Sequence, residues 1–454
     1  MNFKRVITKT YQSMGPAVLI AMIATILGFV ALLISPVPMI ADFGKMLALG
    51  LVLSFLAALI ILTVSLYIKD KFFSPAAGQK NYQAAPVDRL EQPLAAVTRQ
   101  VLRYKFVIIL LALLITLGGL YGNSKVGVQT DIEQFMPQDT PELQEIRELR
   151  EVIGSTEQVT IMLQSEQLLT TKNIEWIDTI TQELPTAFPE AIVDVRSITS
   201  VYRELNTDEF AAQQVAGFID QLPAAQRKML IDESERASAI TVNLARLETS
   251  KQESFITQLA EYLSVDNPAE IDVTITGQAV IDVQMMTALT SGRTEMTLLG
   301  MGLVFLGLLV IYRSFLKALI PILPISLIVG WSGGAMYLLG FNYTPLTATM
   351  GALIIGIGTE FTIILMQRYF EEKNKGLSKD EAMIKTVGKI GKPILASALT
   401  TIAGFSALIF SDFLILREFG IVTLLNIIFC LLSSLVVLPP LIVLLDRKPV
   451  AQKA

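Results

Sequence analysis

The sequence predicts a polytopic α-helical membrane protein with eight transmembrane helices, a parallel internal repeat and one α+β extracytoplasmic domain. Three observations lead to this fold class. The 454-residue chain is 52% hydrophobic and 17% charged, with a mean hydropathy of +0.56, which is typical of proteins whose solvent is the bilayer. Eight apolar runs are long enough to cross a hydrocarbon core of about 30 Å. Finally, residues 9–70 recur at 385–446.

The apolar runs give the positions of the predicted transmembrane helices. The first run could be a signal peptide, but its full length and the second run that follows at once favour a membrane hairpin. The predicted helices cover about residues 15–34, 43–68, 105–122, 294–313, 318–340, 344–367, 391–411 and 418–445.

The distribution of Lys and Arg among the short loops predicts the orientation. Basic residues precede the first run, follow the last one and fill the loops on one side, including 368–392. The short loops of the opposite side contain Arg417 as their only basic residue. Because cytoplasmic loops are enriched in Lys and Arg, we expect a multi-pass protein of the cell (plasma or inner) membrane with both termini in the cytoplasm.

These boundaries divide the chain into six predicted parts. The first two are the last two transmembrane helices of a truncated first repeat and a cytoplasmic connector with an interfacial helix. The first transmembrane helix of the second repeat and the extracytoplasmic α+β domain follow. A five-helix transmembrane bundle and a cytoplasmic tail complete the chain. In chain order, the parts are residues 1–70, 71–104, 105–122, 123–293, 294–446 and 447–454.

Two of these parts have internal patterns of their own. In the connector, Leu90, Leu94, Val97 and Val101 share one helical face, which suits a helix on the membrane surface. In the α+β domain, strand-like and helical segments alternate, which suggests small split βαβ modules. The predicted strands are 159–164, 192–198, 240–247 and 271–276, and the helices are 169–187 and 252–264.

The repeat keeps polar and glycine positions in register without a gap. Lys9 matches Lys385, Thr25 matches Thr401 and Gly28 matches Gly404. Both copies begin on the same predicted side, so the repeat is expected to be parallel, with its axis along the membrane normal. In this register the second copy starts near residue 105 and most of a first copy would precede Met1. Four spans and an outside domain would then come from the same longer chain or from a separate polypeptide.

Glu360 is the candidate proton-coupling residue. It lies in an otherwise uncharged apolar stretch between Asn342 and Arg368. A carboxyl group inside a hydrocarbon span is costly and usually has a function. Low dielectric favours the protonated acid, and a rearrangement that admits water or a cation can release the proton. The alternative is structural: protonated Glu360 would only bond a Thr or a backbone carbonyl and hold the bundle together.

Residues near Glu360 complete the candidate site. Thr400 lies eight residues from Lys392, as Glu360 lies eight from Arg368, so both are about 12 Å from the same membrane end. Thr400 and Thr401 are therefore candidate partners in proton coupling, although Thr often bonds its own helix. The predicted helix-packing positions around the acid are Gly356, Gly358 and Gly404, and a possible substrate entry contains Met285, Met286 and Met296.

Four short motifs resemble the resistance-nodulation-division (RND) superfamily, and within it the hydrophobe exporters and mycobacterial-type membrane lipid transporters (MMPL-like). They are Thr-Asp-Ile-Glu-Gln-Phe-Met-Pro-Gln-Asp at 130–139, Thr-Gly-Gln at 276–278, Gly-Ile-Gly-Thr-Glu-Phe at 356–361, and Thr400-Thr401 with Gly404-Phe405. The resemblance implies that the outside domain is porter-like. This chain departs from the family's common Asp-Tyr pair, because it has Glu360-Phe361 and therefore lacks the phenolic hydroxyl.

The resemblance implies part of a proton-motive-force-driven transporter that exports lipids or other hydrophobic molecules. Its expected partners are the lipid bilayer, a hydrophobic or lipid substrate and the missing first-repeat half, in a homo-oligomer. The alternative is a non-transporting lipid-sensing or protein-export accessory membrane protein of the same fold.

Composition also excludes several function classes. The chain has no His and a single Cys, Cys430, so a His-based catalytic triad and an ordinary His or Cys metal site are excluded. We therefore predict no enzyme, no catalytic residues, no metal and no cofactor. A net charge of −5 without a basic tract argues against nucleic acid as a partner.

Overall fold

The computed structural model describes residues 3–73, 90–129, 157–206, 210–245, 249–265 and 270–446, with single positions between 137 and 148 and at 247 and 268. The predictions for connector residues 74–89, for the motif at 130–139 apart from Pro137, and for the tail 447–454 lie outside these residues. The chain forms two compact units. We call Met1–Met136 with Ala288–Ala454 the membrane unit, and Pro137–Thr287 the α+β unit.

The chain begins with a helical hairpin. Helix α1 (Phe3–Val30) ends in a 3₁₀ turn at Ala31–Ile34, and α2 covers Pro38–Phe73. Pro38 can open α2 because the first turn of a helix needs no backbone N–H donor. Two further helices, α3 (Glu91–Arg103) and α4 (Lys105–Asn123), follow the connector.

The α+β unit contains a four-stranded antiparallel sheet with the strand order β2-β3-β1-β4. Strands β1 and β2 both pair antiparallel with β3, so they run parallel to each other with β3 between them. This is a split βαβ arrangement, and β3 and β4 flank β1 in the same way. The elements are β1 (Glu157–Gln164), α5 (Thr171–Ala187), β2 (Ile192–Arg196), α6 (Ile198–Leu205), α7 (Ala212–Gln221), α8 (Ala224–Leu230), β3 (Ala237–Leu244), α9 (Thr249–Val265) and β4 (Asp272–Thr276).

Alternation of side chains explains how the sheet contacts its helices. In β3, Ile240, Val242 and Leu244 are fully buried, and the residues between them are half-buried. Successive side chains of a strand point to opposite faces, so one face of the sheet supplies the core of the α+β unit. The buried residues of α5, such as Ile174 and Ile177, belong to the same core.

The remaining helices belong mainly to the membrane unit. They are α10 (Gln278–Tyr312), α11 (Phe315–Leu319), α12 (Ile322–Leu339), α13 (Met350–Asn374), α14 (Lys379–Ser406), α15 (Leu414–Leu432) and α16 (Leu438–Leu445). A 3₁₀ turn at Ala407–Phe410 follows α14, and a π-helical turn at Ser433–Val437 joins α15 to α16.

Eight segments of the described chain are long and apolar enough to cross a membrane, and this number confirms the sequence prediction. They are Gly15–Ile34, Pro38–Ser65, Lys105–Asn123, Gly292–Tyr312, Phe315–Leu339, Thr347–Asn374, Lys379–Phe410 and Leu414–Leu445. Helices suit this environment because they satisfy their backbone hydrogen bonds internally.

The connector helix α3 contacts the bundle along one edge. Glycine has no Cβ, and a Cβ added at Gly391 of α14 would lie only 2.8 Å from the Leu94 side chain. Glu91 packs closely against Gly388, one turn earlier in α14. Val101 is buried, whereas Leu90 and Val97 are 46% and 53% exposed. The predicted apolar face is thus divided between the bundle and an exposed surface.

Glycines allow α4 and α12 to cross at very short range. A Cβ at Gly119 would lie 2.1 Å from the carbonyl oxygen of Gly330, and one at Gly334 would lie 2.7 Å from Gly119 Cα. Small residues commonly bring membrane helices together, because close packing replaces the hydrophobic effect that is absent in lipid. Gly118 has no atom of another element within 4 Å of its hypothetical Cβ.

A buried charge cluster lies at the end of the bundle where α13 joins α14. Glu372 of α13 is fully buried and pairs with Arg368, with Lys375 at 3.0 Å and with Lys385 of α14 at 3.0 Å. Hydrogen bonds to Glu372 and Glu371 raise the pKa of Lys375. Three cations around one carboxylate compensate for the loss of its hydration.

A second buried pair fixes the chain after α16. Lys373 pairs with Asp446, and their side chains are 8% and 3% exposed. Tyr369 also donates a 2.9 Å hydrogen bond to Asp446, and Lys379 donates to the Asp446 carbonyl. This pair and the hydrogen bonds around it connect α13, the start of α14 and the end of α16.

We predict opposite effects for alanine at two adjacent glycines of α4. Gly119→Ala should destabilise the protein by roughly 1–3 kcal/mol, because the new methyl overlaps a carbonyl oxygen. Gly118→Ala should be neutral or slightly stabilising, because it meets open space and restricts the unfolded chain. Thermal unfolding in detergent measures both changes. Equal melting temperatures for the two variants would contradict the close crossing.

We also predict that Lys373→Met costs roughly 3–5 kcal/mol of stability, because it leaves Asp446 buried without its cation. The double variant Lys373→Met/Asp446→Asn should recover much of this loss, since the amide still accepts from Tyr369. Lys375→Gln, at a cation that is 49% exposed, is the matched control and should cost less than about 1 kcal/mol. Chemical or thermal unfolding tests the cycle. No recovery in the double variant would show that the pair is not the source of the loss.

Candidate functional site

The candidate site is built on α13, which forms most of the Thr347–Asn374 span, the most enclosed of the eight candidate spans in the described chain. Two glycines allow its neighbours to approach. A Cβ at Gly356 would lie 2.9 Å from Thr25 and 3.1 Å from Phe29, both of α1. A Cβ at Gly358 would lie 3.1 Å from Ile325 of α12. These glycines therefore sit where α13 packs against α1 and α12.

Glu360 is the exposed position of this enclosed helix. In segment 343–373, which the structure describes in full, Glu360 is the one exposed residue, and all others are buried or half-buried. It lies midway between Thr347 and Asn374, the ends of its span, about 20 Å from each at ~1.5 Å per residue. Its carboxyl group makes no hydrogen bond or ion pair with any described residue. The next residue, Phe361, is 3% exposed and belongs to the core.

A line of less buried residues continues from Glu360 along the same face of α13. Ile364, Gln367 and Glu371 follow at helical spacing and are half-buried. Gln367 donates a 2.7 Å hydrogen bond to the Tyr312 hydroxyl of α10, and Glu371 pairs with Arg368 at 2.9 Å. Polar groups therefore occur at intervals between the middle of the span and the charge cluster.

Gln367 and Tyr312 were not among the site residues predicted from the sequence. The signal was present, because residues i, i+7 and i+11 of a helix share one face, and Glu360, Gln367 and Glu371 have this spacing. The partner of Gln367 could not be found in this way. Tyr312 is distant in sequence, and only helix packing brings it to Gln367.

Thr25 of α1 was the other residue missed. Its hydroxyl lies within hydrogen-bonding distance of the Gly356 carbonyl at 3.1 Å and of the Ala21 carbonyl at 3.0 Å. This contact lies one turn from Glu360 and joins α1 to α13. The sequence signal was the match of Thr25 to Thr401.

The structure does not bring the two predicted Thr partners into contact with Glu360. Thr400 donates to Ala396 O at 2.8 Å and Thr401 donates to Ser397 O at 3.0 Å, both within α14. Thr400 is exposed and Thr401 is half-buried. Gly404 is exposed as well, and a Cβ there would meet no atom within 4 Å. This part of α14 is therefore an open face.

The three predicted Met residues lie on one helix, α10, away from any described contact with Glu360. Met285 is half-buried, and Met296 is 5% exposed and packs near Gly292. The Met286 side chain lies outside the described residues. Nothing in these positions distinguishes an entry from ordinary core packing.

The chemistry available here is proton exchange on a single carboxyl group. The acid has an open side at mid-span, and polar residues continue from it toward one end of the helix. Within the described residues, no three or more His, Cys, Asp or Glu side chains group together as a metal site would require. Thr359 and Thr362 are buried and donate to carbonyls of their own helix, so they leave Glu360 free.

Comparison with known sequences gives a family. Residues 2–76 and 137–454 match the profile of the MMPL family. A putative membrane protein of Methanocaldococcus jannaschii is 26% identical over 366 residues, covering 75% of this chain and 91% of that protein. The probable transport protein MmpL8 of Mycobacterium bovis is 22% identical over 263 residues, covering 56% of this chain and 24% of that protein. The chain thus spans nearly all of the first relative and about a quarter of the second.

Solved structures give the fold. The hedgehog release protein Disp of the water bear Hypsibius dujardini matches with a TM-score of 0.72 and 14% identity, over 98% of this chain and 60% of that one. SecDF, a translocon-associated membrane protein of Thermus thermophilus, matches with a TM-score of 0.54 and 16% identity, over 99% and 51%. At these identities the likeness concerns the fold alone. The match to the family profile across most of the chain shows that this protein belongs to the MMPL family.

Proposed function

We propose that this chain is part of a proton-motive-force-driven RND-type membrane transporter that exports lipids or other hydrophobic molecules, with Glu360 as the proton-coupling acid. One observation carries the proposal: a mid-span carboxyl group is the exposed residue in the otherwise enclosed segment 343–373. A carboxyl group placed to hold the bundle together would have a polar partner inside the bundle. Glu360 instead faces outward from the described helices.

The open face of α14 has a covered counterpart on α1. Ala17, Ala21, Ala24, Thr25, Gly28 and Ala31 are all buried, and Thr25 and Gly28 lie against α13. The residues 376 positions later, Pro393, Ser397, Thr400, Thr401, Gly404 and Ala407, are exposed apart from half-buried Thr401. If the two stretches are copies of one unit, no helix in the described part of the chain covers α14 as α13 covers α1.

Matching turn geometry supports the proposed repeat. Both α1 and α14 end in a four-residue 3₁₀ turn, at Ala31–Ile34 and Ala407–Phe410. A Cβ at Gly44 would lie 2.7 Å from Leu32 Cβ and 3.1 Å from Phe29 O. At Gly420, the distances to Leu408 Cβ and Phe405 O would be 2.8 and 3.3 Å.

In the working assembly, a helix equivalent to α13 would cover α14 and place its own acid beside Glu360. It would belong to a first-repeat half, in the same longer chain or in a separate polypeptide, and the assembly would form a homo-oligomer. Enclosure by that helix would make access of water to Glu360 depend on the conformation. Alternation of this access is what proton coupling requires.

The remaining parts of the proposal follow from the predicted orientation. With both termini in the cytoplasm of a cell-membrane protein, the α+β unit is extracytoplasmic and receives the substrate after it leaves the membrane. The polar line through Gln367, Tyr312 and Glu371 then connects Glu360 with the cytoplasmic side. The proton would follow this line through intervening water.

The second candidate function is a non-transporting lipid-sensing or protein-export accessory role. The likeness to SecDF, which its title calls translocon-associated, favours this candidate. In that case Glu360 would have no coupling function, and binding of a lipid or protein would not respond to a pH gradient.

We predict that Glu360→Gln abolishes proton-coupled transport and leaves the fold intact, because the amide keeps the shape of the acid but cannot exchange a proton. The assay uses vesicles that contain the native assembly, a fluorescent phospholipid as probe and a pH dye in the lumen. Glu418→Gln, at a half-buried acid of α15, is the matched control and should retain coupling. Proton uptake that is unchanged in Glu360→Gln would overturn the assignment of Glu360. Probe binding that responds neither to Glu360→Gln nor to a pH gradient, with no proton uptake in either protein, would favour the accessory function.

We further predict that Gly404→Leu prevents assembly with the first-repeat half, because the new side chain occupies the open face of α14. Gly302→Leu is the control, since a Cβ at either glycine meets nothing within 4 Å. Both variants should fold equally well. Co-purification and cross-linking of the two halves measure assembly. If both variants still assemble with the first-repeat half, the support for a covering helix is removed.

A further inference from the structure

An apolar groove runs along the outside of the membrane unit between α4, α12 and α15. Its volume is about 640 Å³, and it extends from Ile108 to Gly122 of α4, about 21 Å at ~1.5 Å per residue. Half of a hydrocarbon core is about 15 Å thick. The groove is therefore long enough to hold the acyl chain of a lipid from one leaflet.

The floor of the groove consists of small residues. Ala112, Gly118, Gly119 and Gly122 of α4 and Gly334 and Ala335 of α12 all line it. Larger side chains form its walls, including Ile115, Leu338 and Leu432. Val436 and Val437 of the π-helical turn complete one wall, and such turns often occur at functional sites.

The polar groups of the floor are satisfied within the protein. Trp331 donates to the Thr116 hydroxyl at 2.9 Å and lies 3.3 Å from the Ala112 carbonyl, and Thr116 donates to the same carbonyl at 2.8 Å. The occupant therefore needs no polar atoms along its length, as expected of a hydrocarbon chain.

The rim of the groove near the α12–α13 loop is different, because it is aromatic and positively charged. Tyr121 and Tyr337 line this end, and the Lys125 ammonium lies 4.6 Å from the Tyr121 ring centroid. The Arg293 guanidinium donates to the side-chain oxygen of Asn123, the α4 residue that follows the end of the groove, at 3.3 Å. Within the described chain, neither Lys125 nor Arg293 pairs with a carboxylate. Tyr and Lys at this level are typical of the membrane interface.

We propose that this groove binds a phospholipid with an anionic headgroup, with one acyl chain along the floor and the headgroup at Lys125. Charge complementarity selects the headgroup, and the apolar floor selects the chain. The inference does not rest on the proposed transport function, because none of its residues lies on α13 or α14. The lipid could serve either function.

Fluorescence of Trp331 tests this proposal, because Trp331 lines the groove and the chain contains only two Trp residues. The other, Trp176, has a buried N–H that donates to none of the described residues, so Trp176→Phe should fold. The full chain with this change is placed in vesicles that contain phosphatidylglycerol or phosphatidylcholine brominated on the acyl chains. We expect quenching of Trp331 with a preference of about fivefold for the anionic lipid, as one basic residue near the headgroup provides.

Two added changes separate the groove from ordinary surrounding lipid. Lys125→Gln should remove the headgroup preference and keep the quenching. Gly118→Leu should abolish quenching by filling the groove, whereas Gly302→Leu on the exposed surface of α10 should leave it unchanged. Equal quenching by the two lipids in the parent protein, or a preference that survives Lys125→Gln, would overturn the proposal. Quenching that survives Gly118→Leu would overturn it as well.

Discussion

The close packing of α13 against its neighbours is the constraint on which the membrane unit depends. In a bilayer, apolar side chains gain nothing by leaving lipid for protein, so helices associate by close contact and by hydrogen bonds. Gly356 and Gly358 provide that contact with α1 and α12, and Thr25 adds a bond to the Gly356 carbonyl. Enclosing α13 in this way leaves one narrow face, and Glu360 lies on it.

Two carboxyl groups on α13 illustrate opposite ways of placing a charge. Glu372 is fully buried and surrounded by three cations that fix its position. Glu360 has no cation and no hydrogen-bonding partner in the described chain. The first arrangement joins α13 to α14, because the buried carboxylate keeps its compensation only while cations of both helices surround it. The second leaves the acid able to change its protonation state when its surroundings change.

The crossing of α4 and α12 shows how one packing device can have two consequences. Gly119, Gly330 and Gly334 allow backbones to touch. Because Gly119, Gly334 and the small residues beside them carry no large side chains, they form the floor of the groove. The side chains of Leu338 and Leu432 form its walls. A groove for a hydrocarbon chain is thus a direct result of how the two helices pack.

Much of this protein was determined by its sequence alone. Apolar runs fixed the eight candidate spans, since length and hydropathy are local properties, and Glu360 was conspicuous as the one acid in its run. The same holds for the strands of the α+β unit, whose alternation is visible in β3. Gly356 and Gly358 were likewise expected at helix contacts.

Tertiary structure decided what the local pattern could not, namely which face of each helix is covered. The hydroxyl of Thr25 bonds α13, whereas that of Thr401 bonds its own helix. Tyr312 meets Gln367, and the groove forms where three helices distant in sequence converge. The physical reason is that packing in lipid depends on contacts between segments that are distant in sequence. An apolar helix is about equally hydrophobic on all sides, so its hydropathy does not predict which side makes these contacts.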